Sequence, residues 1–124
     1  MKILVVEDDV LIGMDLALQL NDLGHATSGP YRTPAEALEA IAVEAPDLAL
    51  LDINLGGGVT SLPVAETLLA AEIPFIFLTG YSHARYSQIE AIRDAPKLLK
   101  PVSRKDLVTG LADAGVETPG RSGG

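Results

Sequence analysis

The sequence predicts an α/β domain built on an open, doubly wound, five-stranded parallel sheet, and three observations carry that reading. Apolar runs of strand length recur at residues 3–6, 48–51, 75–78 and 98–99, and they are continuous rather than alternating, the mark of strands covered on both faces. The stretches between them repeat apolar residues at helical spacing. Hydrophobic residues make up 48% of the chain and aromatic residues only 4%, so a core must come from Leu, Ile, Val and Ala, as in sheets wrapped by helices.

The first strand, at residues 3–6, leads into a helix that should bury Ile12, Leu16, Leu20 and Leu23, with Asp9 placed to cap it and Gly24 to end it. A second strand at residues 26–28 has a weak pattern, is inferred mostly from its position, and is expected at a sheet edge. Thr33-Pro34-Ala35-Glu36 reads as a capping box with proline at the first helical position, opening a helix that buries Leu38, Ile41 and Ala42. After the strand at 48–51, Gly56-Gly57-Gly58 reads as a flexible loop; it lacks the Gly-Lys-Ser/Thr ending of a nucleotide-binding P-loop. Leu62-Pro63-Val64 starts a third helix burying Val64, Ala65, Leu68 and Leu69. A fourth helix buries Ile89 and Ile92, and a fifth, capped by Ser103, buries Leu107, Val108 and Leu111. The order is strand-helix repeated five times, which requires right-handed crossovers and a parallel sheet, and five units are too few for an eight-stranded barrel. The flavodoxin-like strand order 2-1-3-4-5 is expected. Residues 1–115 are expected to form the domain, and residues 116–124, rich in Gly, Pro, Ser and Thr, a flexible tail.

At 124 residues the chain suits one domain, so one site must carry the function. The absence of cysteine excludes disulfides, thiol chemistry and cysteine-rich zinc sites. No apolar run is long enough for a membrane span, and residues 3–6 are cut off by Glu7, Asp8 and Asp9 before they could serve as a signal peptide; a cytoplasmic location is expected, with no membrane partner. A net charge of −8 opposes binding to nucleic acid, and makes a cation the more natural small partner.

In open parallel sheets the ligand site lies outside the carboxyl ends of the strands, so the residues after each apolar run are the informative ones. Glu7, Asp8 and Asp9 follow the first strand, Asp52 and Asn54 the third, Thr79 and Gly80 the fourth, and Lys100 and Pro101 the fifth. Folding should gather them in one crevice. There Glu7, Asp8 and Asp52 would repel and raise one another's pKa values unless a cation joined them. Oxygen-only ligands suit Mg2+, or Mn2+, better than zinc, and neither His25 nor His83 follows a strand with a partner at ligand spacing, which leaves both with surface or loop roles. Three carboxylates, one lysine and a divalent ion cancel in charge, so the crevice can receive an anionic phosphoryl group. Asp52, alone on the central strand, suits a nucleophile; Lys100 and the metal would neutralise charge on the phosphoryl oxygens; Thr79 offers a hydroxyl, beside Gly80, that bonds such an oxygen only once it is present. Taken singly, Asp8 and Asp9 read as helix caps, Thr79-Gly80 as a turn and Lys100 as an exposed lysine. Jointly, those readings require coincidence at four strand ends.

From Lys2 to about Gly115 the sequence resembles the receiver domains of two-component response regulators. The resemblance implies that Glu7 and Asp8 are the acidic pair, Asp52 the phosphoacceptor, Thr79 the switch hydroxyl and Lys100 the site lysine. It further implies that Asn54 lends its backbone carbonyl to the metal and that the Lys100-Pro101 bond is cis. The implied partners are a sensor histidine kinase or phosphotransfer protein and an unknown downstream protein, with output by binding or by draining phosphate from a shared kinase. Phe77-Leu78-Thr79-Gly80-Tyr81 is similar to the stand-alone receivers named for a Phe-Ala-Thr-Gly-hydrophobic-Tyr stretch, with Leu78 in place of the alanine. Where typical receivers carry a rotating aromatic three residues before the site lysine, this chain has Lys97, and Tyr81 is the substitute candidate.

Two other readings compete. A small magnesium-dependent phosphohydrolase would use the same Asp52, but the chain lacks a second aspartate as general acid. An interaction domain with a vestigial site would leave the residue set without purpose. The receiver reading makes the chain a switch rather than an enzyme on other molecules, catalysing only its own phosphorylation and slow self-dephosphorylation.

Overall fold

The computed structural model describes residues 1–80 and 94–115. Five strands, β1 (Lys2–Val6), β2 (Ala26–Tyr31), β3 (Leu48–Asp52), β4 (Phe75–Thr79) and β5 (Lys97–Leu99), form one sheet in the order β2-β1-β3-β4-β5. Every pairing is parallel. Four helices are described: α1 (Val10–Asp22), α2 (Pro34–Val43), α3 (Leu62–Ala70) and α4 (Arg104–Asp113). The last is the fifth helix of the sequence pattern; the helix expected around Ile89 and Ile92, and residues 116–124, lie outside the described residues.

Continuous apolar runs arise here because neighbouring residues on a strand point to opposite faces and both faces are covered. Ile3, Val5, Leu48, Leu50, Ile76 and Leu78 pack with Leu16 and Leu20 of α1 and Leu107 and Leu111 of α4. Leu4, Val6, Ala49, Leu51 and Phe77 pack on the other face with Ala37 of α2 and Val64, Ala65 and Leu68 of α3. Phe75 and Phe77 meet edge to face, with ring centroids 5.3 Å apart.

The helix starts follow their caps. Asp9 accepts hydrogen bonds from the amides of Leu11 and Ile12 at 3.0 and 3.1 Å, and Ser103 from that of Asp106 at 3.1 Å. Thr33 Oγ1 accepts from the Glu36 amide at 3.2 Å, while Glu36 Oε1 accepts from the amide of Arg32 and from the Thr33 hydroxyl.

Some expectations are corrected. Leu69 is 54% exposed, because the buried stripe of α3 runs through Val64, Ala65 and Leu68 and leaves Leu69 past its edge. In α2 the fully buried residue is Ala37, Leu38 and Ile41 are half-buried, and Ala42 is exposed. β2 is the expected edge but runs on to Tyr31 through a register shift: Leu4 pairs with Ser28, yet Val6 pairs with Tyr31, so β2 carries one extra residue at Gly29-Pro30. The segment around Gly56-Gly57-Gly58 is the expected loop, and it is closed by bonds of its own: Leu55 N donates to Val59 O at 2.8 Å and Val59 N to Gly56 O at 2.9 Å, beneath an antiparallel bridge between Asn54 and Thr60.

Core position rather than hydrophobicity should set the cost of truncation. Leu50→Ala, at a fully buried site, should lower unfolding free energy in urea by about 2–5 kcal/mol. Leu69→Ala should change it by no more than about 0.5 kcal/mol.

Candidate functional site

Because β1, β3, β4 and β5 are neighbours in the sheet and all parallel, the residues that end them converge. Glu7 follows β1, and its amide donates to Tyr31 O at 2.9 Å, which ties the end of β1 to the shifted part of β2. Asp52 closes β3 and Thr79 closes β4. Lys100 follows β5, its amide donating to Thr79 O at 2.8 Å, and its bond to Pro101 is cis.

The side chains meet in a crevice. Lys100 Nζ lies 3.0 Å from Glu7 Oε1, to which it donates a hydrogen bond, and 3.1 Å from Asp52 Oδ2. Glu7 is fully buried and Asp52 nearly so, whereas Asp8 is half-buried. Carboxylate oxygens of Glu7, Asp8 and Asp52 all lie within 4.8 Å of one another. Thr79 Oγ1 donates to Gly80 O at 3.1 Å. Asn54 begins the adjoining turn, its Oδ1 accepting from the Gly56 amide at 2.9 Å.

The electrostatics follow from one lysine facing two buried acids. Burial, then the neighbouring Asp52 carboxylate, raises the Glu7 carboxyl to about 8, with Lys100 pulling the other way. Burial works against the charge on Lys100, but Glu7 and Asp52 outweigh it and hold the ammonium above the ordinary lysine range. Among the described residues Glu7 Oε2 is buried without a hydrogen-bond partner. An orphaned carboxylate oxygen beside two further carboxylates is a donor set that fits a hard divalent cation, with Glu7, Asp8 and Asp52 as the side chains able to hold it.

The sequence-predicted residues divide as follows. Glu7, Asp8, Asp52 and Lys100 come together; Thr79, Gly80 and Asn54 border them. Tyr81 and His83 lie outside the described residues, as does Tyr86. Lys97 opens β5 and donates to Ala95 O at 2.9 Å. His25 lies in the connection just before β2, at the amino ends of the strands and away from the crevice, as a loop role requires, but it is 3% exposed rather than at the surface. Burial and then the positive N-terminus push its imidazole below the ordinary value. Tyr31 had no role assignable from sequence, because its part is played by a backbone carbonyl. A groove of about 830 Å3 lined by Leu69, Ile73, Phe75 and Pro96 touches none of the described site residues. Among the described residues no helix is long and apolar enough to cross a membrane.

The family described as the response regulator receiver domain matches residues 3–112. The chain belongs to this family. The receiver is 43% identical over 83 residues to the phyllosphere-induced regulator PhyR of Methylorubrum extorquens, a match covering 64% of the chain and 31% of PhyR. It is 31% identical over 114 residues to the transcriptional regulatory protein PdtaR of Mycobacterium tuberculosis, covering 89% of the chain and 54% of PdtaR. The receiver thus spans about a third of one curated relative and about half of the other. The solution structure of SdrG from Sphingomonas melonis superposes with a TM-score of 0.81 at 42% identity, covering 93% of the receiver and 96% of SdrG. The family and these relatives make the chain a regulatory domain of two-component signalling.

The raised Glu7 carboxyl has a sign that can be measured. In the folded receiver Glu7 keeps its proton up to about pH 8, whereas the unfolded chain loses it near the ordinary glutamate value of 4.5. The folded state therefore binds more protons between those limits, and its contribution to stability is full below 4.5 and lost as pH rises through about 8. Denaturant titrations without divalent cation should show wild-type stability falling relative to Glu7→Gln across that window. Parallel pH profiles for the two proteins would refute the assignment.

Proposed function

We propose that the receiver takes a phosphoryl group from the phosphohistidine of a sensor histidine kinase or phosphotransfer protein onto Asp52, and passes the signal by binding a downstream protein or by draining phosphate from its kinase. The observation that carries this reading is the placing of Lys100 within 3.1 Å of Asp52 beside two further carboxylates. Residues 1–115 would make up the functional unit, working in the cytoplasm.

In this reading a carboxylate oxygen of Asp52 attacks phosphorus, the phosphorus–nitrogen bond breaks, and the neutral imidazole leaves as the nitrogen takes a proton. Lys100 compensates charge on the phosphoryl oxygens, releasing its hold on Glu7. Glu7, Asp8 and Asp52, with the backbone carbonyl of Asn54, would hold Mg2+, or Mn2+, which when bound neutralises the crowded acids and the incoming phosphoryl group. Thr79 would exchange its bond to Gly80 O for one to a phosphoryl oxygen, a local change in charge and bonding of the kind that biases a two-state element. Turnover of other molecules is not expected; only formation and slow hydrolysis of the acyl phosphate belong to the chain.

Intact-mass measurement with a small phosphoramidate donor should show one phosphoryl addition that needs magnesium and is lost in Asp52→Ala. Absence of any addition to the wild type would leave the interaction-domain reading with a vestigial site. Because the proton on Glu7 must leave before a cation binds, apparent magnesium affinity should rise as pH approaches about 8. Lys97→Ala should retain phosphate-dependent amide NMR shifts at Thr79, since no aromatic rotates at that position. A variant that is phosphorylated but shows no shift there would overturn this route.

A further inference from the structure

We propose that Gly56 is a positioning residue for Asp8, and that the turn it belongs to fixes the exposed member of the carboxylate trio. The inference rests on the cation-binding reading above. Glu7 and Asp52 are held by burial and by Lys100. Asp8 is half-buried, with a carboxylate oxygen within 4.8 Å of oxygens of both, close enough to share a cation with them.

Gly56, by having no side chain, leaves the Asp8 carboxylate its place. A Cβ on Gly56 would stand 3.3 Å from Asp8 Oδ2, tighter than ordinary van der Waals contact, so a side chain there must shift the turn or the carboxylate by a few tenths of an ångström. The turn is the stiffer of the two. It is pinned by Gly56 N to Asn54 Oδ1, Leu55 N to Val59 O and Val59 N to Gly56 O, and its base by Ser61 N to Ile53 O at 3.1 Å. The Asp8 carboxylate therefore yields. The same turn starts at Asn54, so two of the groups assigned to the cation, the Asp8 carboxylate and the Asn54 carbonyl, are spaced by one short backbone unit.

The neighbouring glycine separates contact from strain. Gly56 has φ +89° and Gly58 φ +82°, both in the region that side chains rarely adopt, but a Cβ on Gly58 would meet nothing within 4 Å. Alanine at either position carries a similar backbone cost, and only alanine at 56 presses on Asp8.

The test is a magnesium titration of the full chain, followed by amide NMR, for wild type, Gly56→Ala and Gly58→Ala, with the spectra reporting that each is folded. Gly56→Ala should weaken magnesium binding about tenfold, in the range found when groups that orient metal ligands are altered. Gly58→Ala should bind magnesium as wild type does. At saturating magnesium the rate of phosphorylation of Gly56→Ala by a small phosphoramidate should return to that of wild type, since Asp52 and Lys100 are untouched. Equal losses in the two variants would mean that backbone strain alone acts, and unchanged affinity in Gly56→Ala would mean that the contact is idle; either overturns the inference while leaving the functional reading in place. A wild-type chain that does not bind magnesium would overturn both.

Discussion

One ammonium between two buried carboxylates is the interaction on which this end of the molecule depends. Lys100 reaches Glu7 and Asp52 at 3.0 and 3.1 Å, and one positive charge cannot balance two negative ones in a place with little water. An uncompensated buried charge is costly, so the crevice takes up a proton or a cation. The raised Glu7 carboxyl is the first response, and Glu7 Oε2, without a hydrogen-bond partner among the described residues, marks where the second would act. Asp8, nearer to solvent, completes a set of oxygens that a hard cation can join.

The sheet makes that arrangement with little freedom. Its order places β1 and β3 side by side at the point where the chain reverses its direction of winding, and β4 and β5 follow on one side. Glu7, Asp52 and Thr79 end or follow strands packed on both faces, so the core holds their backbone while their side chains reach the crevice. Backbone bonds then join strand ends to one another: Glu7 N to Tyr31 O, Ile53 N to Leu78 O and Lys100 N to Thr79 O. Thr79, whose hydroxyl donates to the next carbonyl, stands at the rim of this frame.

Much of the fold was legible because the two faces of the sheet are both buried, so that β1, β3 and β4 appear as unbroken apolar runs, and because helix caps act over three residues of chain. Asp9, Thr33 and Ser103 each bond amides within that span. β2 was nearly invisible for the opposite reason: it is an edge, half-exposed along its length, and packing places little demand on its side chains. Leu69 misled because one residue at the margin of a helical stripe turns outward without altering the pattern.

The sequence by itself determined which residue types stand at the ends of the strands, and hence that acids, a hydroxyl and a lysine would converge in one crevice; local periodicity and caps suffice for that. Only the tertiary structure decided the distances within the crevice, the burial of His25, the extra residue in β2 that offers Tyr31 O to Glu7, and the approach of Gly56 to Asp8. Those depend on contacts between segments far apart in the chain, whose energies are settled by packing in three dimensions and leave no period in the sequence.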